Sequence, residues 1–168
     1  MKHLIYIFNQ RALVNFNLQG LVTAIRSANF DTLCDQYGLS RALIQPALAH
    51  LELIAAPESD LPIFTLAYRP KSQPPIIVTH WDEKAKSFER LITALESDVT
   101  GDVYNQVKLS TNIYCIELTE PQIKDLGLLL AYETARFLAA EGNGVVLGFD
   151  KIWYRLNVNQ AFIPFDNT

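Results

Sequence analysis

The chain has 168 residues, 49% hydrophobic and 19% charged, with 14 Lys and Arg against 18 Asp and Glu for a formal net charge of −4. That composition suits one folded domain, able to bury roughly 70% of the surface its unfolded form exposes, and excludes a disordered chain. A sequence pI near 5.3 and thinly spread basic residues exclude the electrostatic footprint of a nucleic-acid binder.

The first apolar run, Leu4 to Phe8, is too short for a signal-peptide core or a membrane span and reads as a buried strand, so a cytoplasmic protein without membrane contact is expected. Asn17 is placed to cap a helix through Leu18, Leu21, Val22 and Ile25, and Asp31 to cap a shorter one ending at Gly38. Pro46 interrupts a helical pattern between Ser40 and Ala49, which gives a short helix or a turn. The apolar runs His50–Ile54, Ile63–Tyr68 and Ile76–Trp81 are separated by PESDLP and RPKSQPP, the pattern of an antiparallel meander.

Asp82 heads an amphipathic helix in which Ala85, Phe88, Leu91, Ile92 and Leu95 recur at three-and-four spacing. The DVTGD segment breaks it as a loop tip, and the alternation of Val103, Asn105, Val107 and Leu109 predicts that residues 103–118 form a long bent strand or a hairpin. A helix follows, starting with capping-box spacing at Thr119 and Gln122 and Pro121 in its first turn. Gly127, Ala131, Ala135 and Ala139 line it with small side chains, and Gly142 or Gly144 is the expected left-handed residue that ends it. Val145–Phe149 and Ile152–Leu156 read as strands around a turn at Asp150 and Lys151, and AFIPF as an edge strand limited by Pro164. The expectation is a single α+β domain over residues 1–168, a mostly antiparallel sheet with helices packed on one face, within which a ferredoxin-like unit fits.

No catalytic, metal or nucleotide motif rises above this architecture. Cys34 and Cys115 read as buried free thiols, and His3, His50 and His80 have no second ligand three or four residues away, so neither metal nor cofactor is expected. The glycines of EGNGVVLG follow a helix and precede a strand, the reverse of a phosphate-binding loop. His80, Asp82 and Glu83, at a strand-to-helix junction, are the best enzymatic lead, against the simpler reading of Asp82 as a cap and Glu83 as a partner of the helix dipole. Glu133 and Arg136 have the spacing of an ion pair on the long helix. Trp153, Tyr154 and Arg155 are residue types favoured at binding hot spots, and Asp98, Asp102 and Asp150 offer loop carboxylates to a basic partner.

The run LGLLLAYETARFLAAEGNGVVLGFDKIWYRLN, an alanine-rich helix leading through glycines to a strand, an acidic turn and an aromatic strand, resembles the C-terminal third of bacterial immunity proteins. Those proteins neutralise polymorphic or contact-dependent growth inhibition toxins. The resemblance implies a non-enzymatic inhibitor that blocks a cognate toxin, such as a basic nuclease domain, and it carries no functional residue across. The alternatives are a small cytosolic enzyme with a cleft near His80, Asp82 and Glu83, and a self-associating scaffold that uses the aromatic C-terminal strand or a sheet edge.

Overall fold

The computed structural model describes residues 1–13, 16–56, 64–69 and 73–166. It is an α+β structure whose eight-stranded, antiparallel sheet has the order β2-β3-β4-β5-β1-β6-β7-β8. The strands are β1 (Lys2–Asn9), β2 (Glu52–Ala55), β3 (Phe64–Ala67), β4 (Ile76–Asp82), β5 (Asn112–Thr119), β6 (Gly144–Leu147), β7 (Trp153–Leu156) and β8 (Phe162–Pro164). The helices are α1 (Leu18–Arg26), α2 (Phe30–Tyr37), α3 (Ile44–Ala49), α4 (Lys86–Leu95), α5 (Gly101–Lys108), α6 (Glu120–Ile123) and α7 (Gly127–Gly142). The contacts group into two compact units, 1–4 with 16–79 and 116–134, and 5–15 with 80–115 and 135–168.

The first unit contains the expected meander: β2, β3 and β4 pair antiparallel, with Leu53 opposite Leu66 and Phe64 opposite Val78. Phe64, Leu66, Ile76 and Val78 are buried while Thr65, Ala67, Ile77 and Thr79 are not, the alternation of a sheet covered on one face. Of the strand expected over Ile63–Tyr68 the structure describes Phe64–Ala67 as strand; Ile63, PESDLP and residues 70–72 of RPKSQPP lie outside the described residues. Asn17 caps α1 through its Oδ1, 2.6 Å from the Gly20 amide, as expected. The cap of α2 is Asn29, not Asp31: the Asn29 Oδ1 accepts from Thr32 N at 3.2 Å, and Asp31 sits in the first turn. Gly38 ends α2 in the left-handed region at φ 67°. Pro46 lies in the first turn of α3, where its missing N–H costs no helical bond.

The long helix predicted from Thr119 is two helices. The capping box forms, with the Gln122 Oε1 accepting from Thr119 N at 2.7 Å, but its helix ends at Ile123. Asp125 then starts α7: its Oδ1 accepts from Gly127 N at 2.7 Å and from the Tyr68 hydroxyl at 2.7 Å, while Arg69 pairs with the other carboxylate oxygen. A buried carboxylate that takes a helix-start amide is a stronger anchor than continuation through Lys124. Residues 126–135 are all buried, so this part of α7 is a core helix rather than a one-sided one.

In the second unit β1 pairs antiparallel with β6, Phe8 opposite Val145, and the hairpin of β6, β7 and β8 extends to the sheet edge. Alternate residues of β1 serve different layers. Phe8 and Tyr6 join Phe88, Leu91, Ile92 and Leu95 of α4 and Val103 and Val107 of α5, whereas Asn9 turns the other way and donates from Nδ2 to the Leu138 carbonyl of α7 at 3.0 Å. This unit therefore carries helices on both sides of its strands.

Three expectations change here. Residues 101–108 are the helix α5, not the strand or hairpin predicted over 103–118; only β5 of that prediction is a strand. Val99 and Val107, buried, and Val103, partly buried, are spaced by four, a helical period that the alternation from Val103 to Leu109 conceals. Asp82 ends β4 and closes a turn by accepting from Lys84 N at 3.0 Å, so α4 begins at Lys86 without it. The left-handed residue after α7 is Asn143, at φ 51°, and neither Gly142 nor Gly144 has positive φ. Those glycines give room instead: a Cβ on Gly142 would stand 2.0 Å from the Nδ2 of Asn9, and one on Gly144 2.0 Å from its Oδ1. No helix among the described residues is long and apolar enough to cross a membrane.

Candidate functional site

The structure brings four of the predicted partner-binding residues to one cleft in the second unit. Asp98, Asp102, Trp153 and Arg155 line a cavity of about 600 Å³ together with Phe165 and Asp166. Asp98 follows α4, Asp102 lies in the first turn of α5 where the helix dipole favours a carboxylate, and Trp153 and Arg155 share one side of β7. Trp153 anchors the floor, its ring 5.2 Å from that of Phe8, and the Arg155 guanidinium lies 5.5 Å above the Phe165 ring. Asp98, Asp102, Arg155 and Asp166 are exposed, so three carboxylates and one guanidinium of this lining are open to solvent.

Asp150 and Tyr154 are placed elsewhere. The Tyr154 hydroxyl donates to Asp150 Oδ2 at 2.8 Å and the Ile152 amide to Oδ1 at 3.0 Å, so Asp150 holds the β6–β7 turn. Alternation along β7 sends Tyr154 to the opposite side from Trp153 and Arg155, where its ring meets Phe162 at 5.7 Å.

A second cavity, of about 500 Å³, shares Asp102, Arg155 and Phe165 with the first and continues toward the end of α7. Besides Asp102 and Arg155, its polar lining includes the carboxamides of Asn105, Gln106, Asn143, Asn157 and Gln160. Asn143 donates from Nδ2 to the Gln10 Oε1 at 3.0 Å, and Gln10 donates in turn to the Gln106 Oε1. Asn157 is committed to its turn, its Oδ1 accepting from Asn159 N at 2.8 Å and Ala161 N at 3.0 Å. Asn105 and Gln106 were hidden from sequence reasoning by the strand assignment; the signal that finds them is the four-residue spacing of Val99, Val103 and Val107.

His80, Asp82 and Glu83 do not assemble. Asn112 donates from Nδ2 to Thr111 Oγ1 at 2.9 Å, which turns its Oδ1 toward His80 Nε2 at 2.8 Å, so Nε2 carries the proton. The imidazole is buried, stacked on Tyr114 with centroids 4.5 Å apart, and its Nδ1 has no hydrogen-bond partner among the described residues. Burial pushes its pKa below the ordinary histidine value, against the opposing effects of the Asn112 hydrogen bond and the Asp82 charge. Glu83, by contrast, is exposed on the turn.

Cys34 and Cys115 are buried and are not joined in a disulfide. Burial raises the Cys34 thiol, with Asp31 and Asp35 adding to the shift, which holds it in the unreactive protonated form. No group of three His, Cys, Asp or Glu side chains with the geometry of a metal site occurs among the described residues. No family model, curated protein or solved structure matches this chain.

Proposed function

We propose that the protein is an immunity-type inhibitor that binds a cognate bacterial toxin domain in the cytoplasm and blocks its active site. The observation that carries this reading is the cleft, where Asp98, Asp102 and Asp166 line one cavity with Arg155 and the aromatic residues Trp153 and Phe165. Such a surface offers carboxylates to a basic partner and apolar area to an inserted side chain, the combination that gives fast encounter and a buried anchor. A basic nuclease domain, whose substrate groove must attract phosphates, is complementary to it. The net charge of −4 adds weak long-range steering in the same direction.

Co-expression with the protein encoded by the adjacent upstream reading frame, which the proposal requires to be toxic by itself, tests it. Restored growth and co-purification of the pair support it. Undiminished toxicity in the presence of folded protein removes it.

A further inference from the structure

The carboxamide-lined part of the cleft has a hydrogen-bonding arrangement that the fold does not use up. The relay from Asn143 through Gln10 to Gln106 consumes both ends of the Gln10 amide, but only the Nδ2 of Asn143 and only the Oε1 of Gln106. The Asn143 Oδ1 is left to accept and the Gln106 Nε2 to donate, on two residues that line the same cavity. Each is tied through Gln10, so presenting this pair loses less side-chain entropy than two free surface amides would. Arg155, whose guanidinium rests on Phe165, and Asp102 add a strong donor and a strong acceptor to the same lining, and no ion pair joins them to each other or to any described residue.

A carboxamide matches a peptide group: each presents one carbonyl oxygen and one or more N–H donors in a plane. A trough with several carboxamides is suited to read a polypeptide main chain whatever its side chains. The two cavities share Asp102, Arg155 and Phe165, so the amide-lined part opens into the part with Asp98, Asp102 and Asp166. Charge complementarity there favours a cation on the entering segment.

We infer that this trough receives an extended segment of the partner protein, its main chain hydrogen-bonded by Gln106 and Asn143 and one Arg or Lys side chain seated among Asp98, Asp102 and Asp166. The inference rests on the inhibitor reading for the identity of the partner and adds the chemistry of what is bound. Main-chain readout explains how a small inhibitor holds a loop of its target, and the acidic end sets which residue occupies it.

The test is a two-dimensional amide NMR titration of the full chain with the capped pentapeptide acetyl-Ala-Ala-Arg-Ala-Ala-amide, alongside the same peptide with Glu in place of Arg, a disaccharide and a nucleoside. The expected result is saturable movement of the Asp102, Asn105, Gln106, Asn143 and Arg155 signals, including the side-chain amides of Gln106 and Asn143, with a Kd of about 1 mM. Binding should weaken about tenfold in Gln106→Leu, which loses the donor, and about two- to fivefold in Asp166→Asn, an exposed change that leaves the fold intact. Absence of saturable movement with the Arg peptide overturns the inference, as does equal binding of the Glu peptide or binding of only the disaccharide or nucleoside. Failure here is distinguishable from failure of the inhibitor reading. A toxin domain that co-purifies equally with wild type and with Gln106→Leu leaves that reading standing and removes this one, whereas a bound Arg peptide without toxin neutralisation does the reverse.

Discussion

Gly142→Ala separates two explanations for the glycine that ends α7. Helix propensity favours Ala over Gly by about 1 kcal/mol, and Gly142 does not have positive φ, so backbone preference alone predicts stabilisation. The structure predicts the opposite sign. The new methyl would lie 2.0 Å from the Nδ2 and 2.2 Å from the Cγ of Asn9, a side chain with 0% exposure that cannot swing aside into solvent. Relief requires either strain, typically about 1–3 kcal/mol for an overpacked core, or loss of the buried Asn9 to Leu138 hydrogen bond, about 1–3 kcal/mol. Net of propensity, Gly142→Ala should destabilise by about 0–2 kcal/mol. Asn9→Ala removes the two nearest atoms and leaves only the residue 9 Cβ, at 2.7 Å, so the double variant should be more stable than the sum of the single effects by about 1 kcal/mol. Urea unfolding followed by far-UV circular dichroism reads all three. Stabilisation by Gly142→Ala alone, or strict additivity in the cycle, would refute the argument that the glycine exists to admit Asn9.

Tyr68→Phe deletes the hydroxyl that donates to the buried Asp125 carboxylate at the start of α7 and should cost about 1.5–3 kcal/mol in the same unfolding assay; a loss below a few tenths would mean that Arg69 and the Gly127 amide satisfy the carboxylate alone. Asn143→Gly should be nearly neutral while Asn143→Ala should cost about 1 kcal/mol, because only the latter holds a side chain with Cβ at φ 51° without the local hydrogen bonding of Asn; equal effects would contradict the left-handed assignment. His80 has its pKa lowered by burial, so below about pH 6.5 the unfolded chain binds a proton that the native chain does not, and stability should fall as pH drops from there. In His80→Gln that slope should decrease by up to about 1.4 kcal/mol per pH unit, read from urea midpoints between neutral and mildly acidic pH; an unchanged slope would show that His80 accepts its proton in the folded state.

The meander, the first helix with its Asn17 cap, and the hairpin toward the sheet edge were legible because each depends on local chemistry: alternating burial, a capping amide, and turn residues. The errors arose where long-range contacts decide. The break before Gly127 follows from a carboxylate that bonds Tyr68, more than fifty residues earlier in the chain, and the glycines after α7 serve a side chain from β1. At α5, Val103 and Val107 suit a strand and a helix equally, and packing against Phe8 and Ile113 selects the helix. The candidate cleft was half visible. Asp98, Asp102, Trp153 and Arg155 stood out as residue types, but the amide lining depends on the α5 assignment and on Gln10 bridging to Asn143.

The most direct test of the binding account is neutralisation of the toxin domain that the proposal requires the adjacent reading frame to encode, by the double variant Asp98→Lys and Asp166→Lys, which reverses two exposed charges of the cleft. Growth after toxin induction and affinity for the purified domain are measured beside wild type, with circular dichroism to verify the fold. The account predicts that wild type protects and that the folded double variant loses at least about tenfold in affinity, with the loss shrinking at high salt. Full protection and unchanged affinity in the double variant would contradict it.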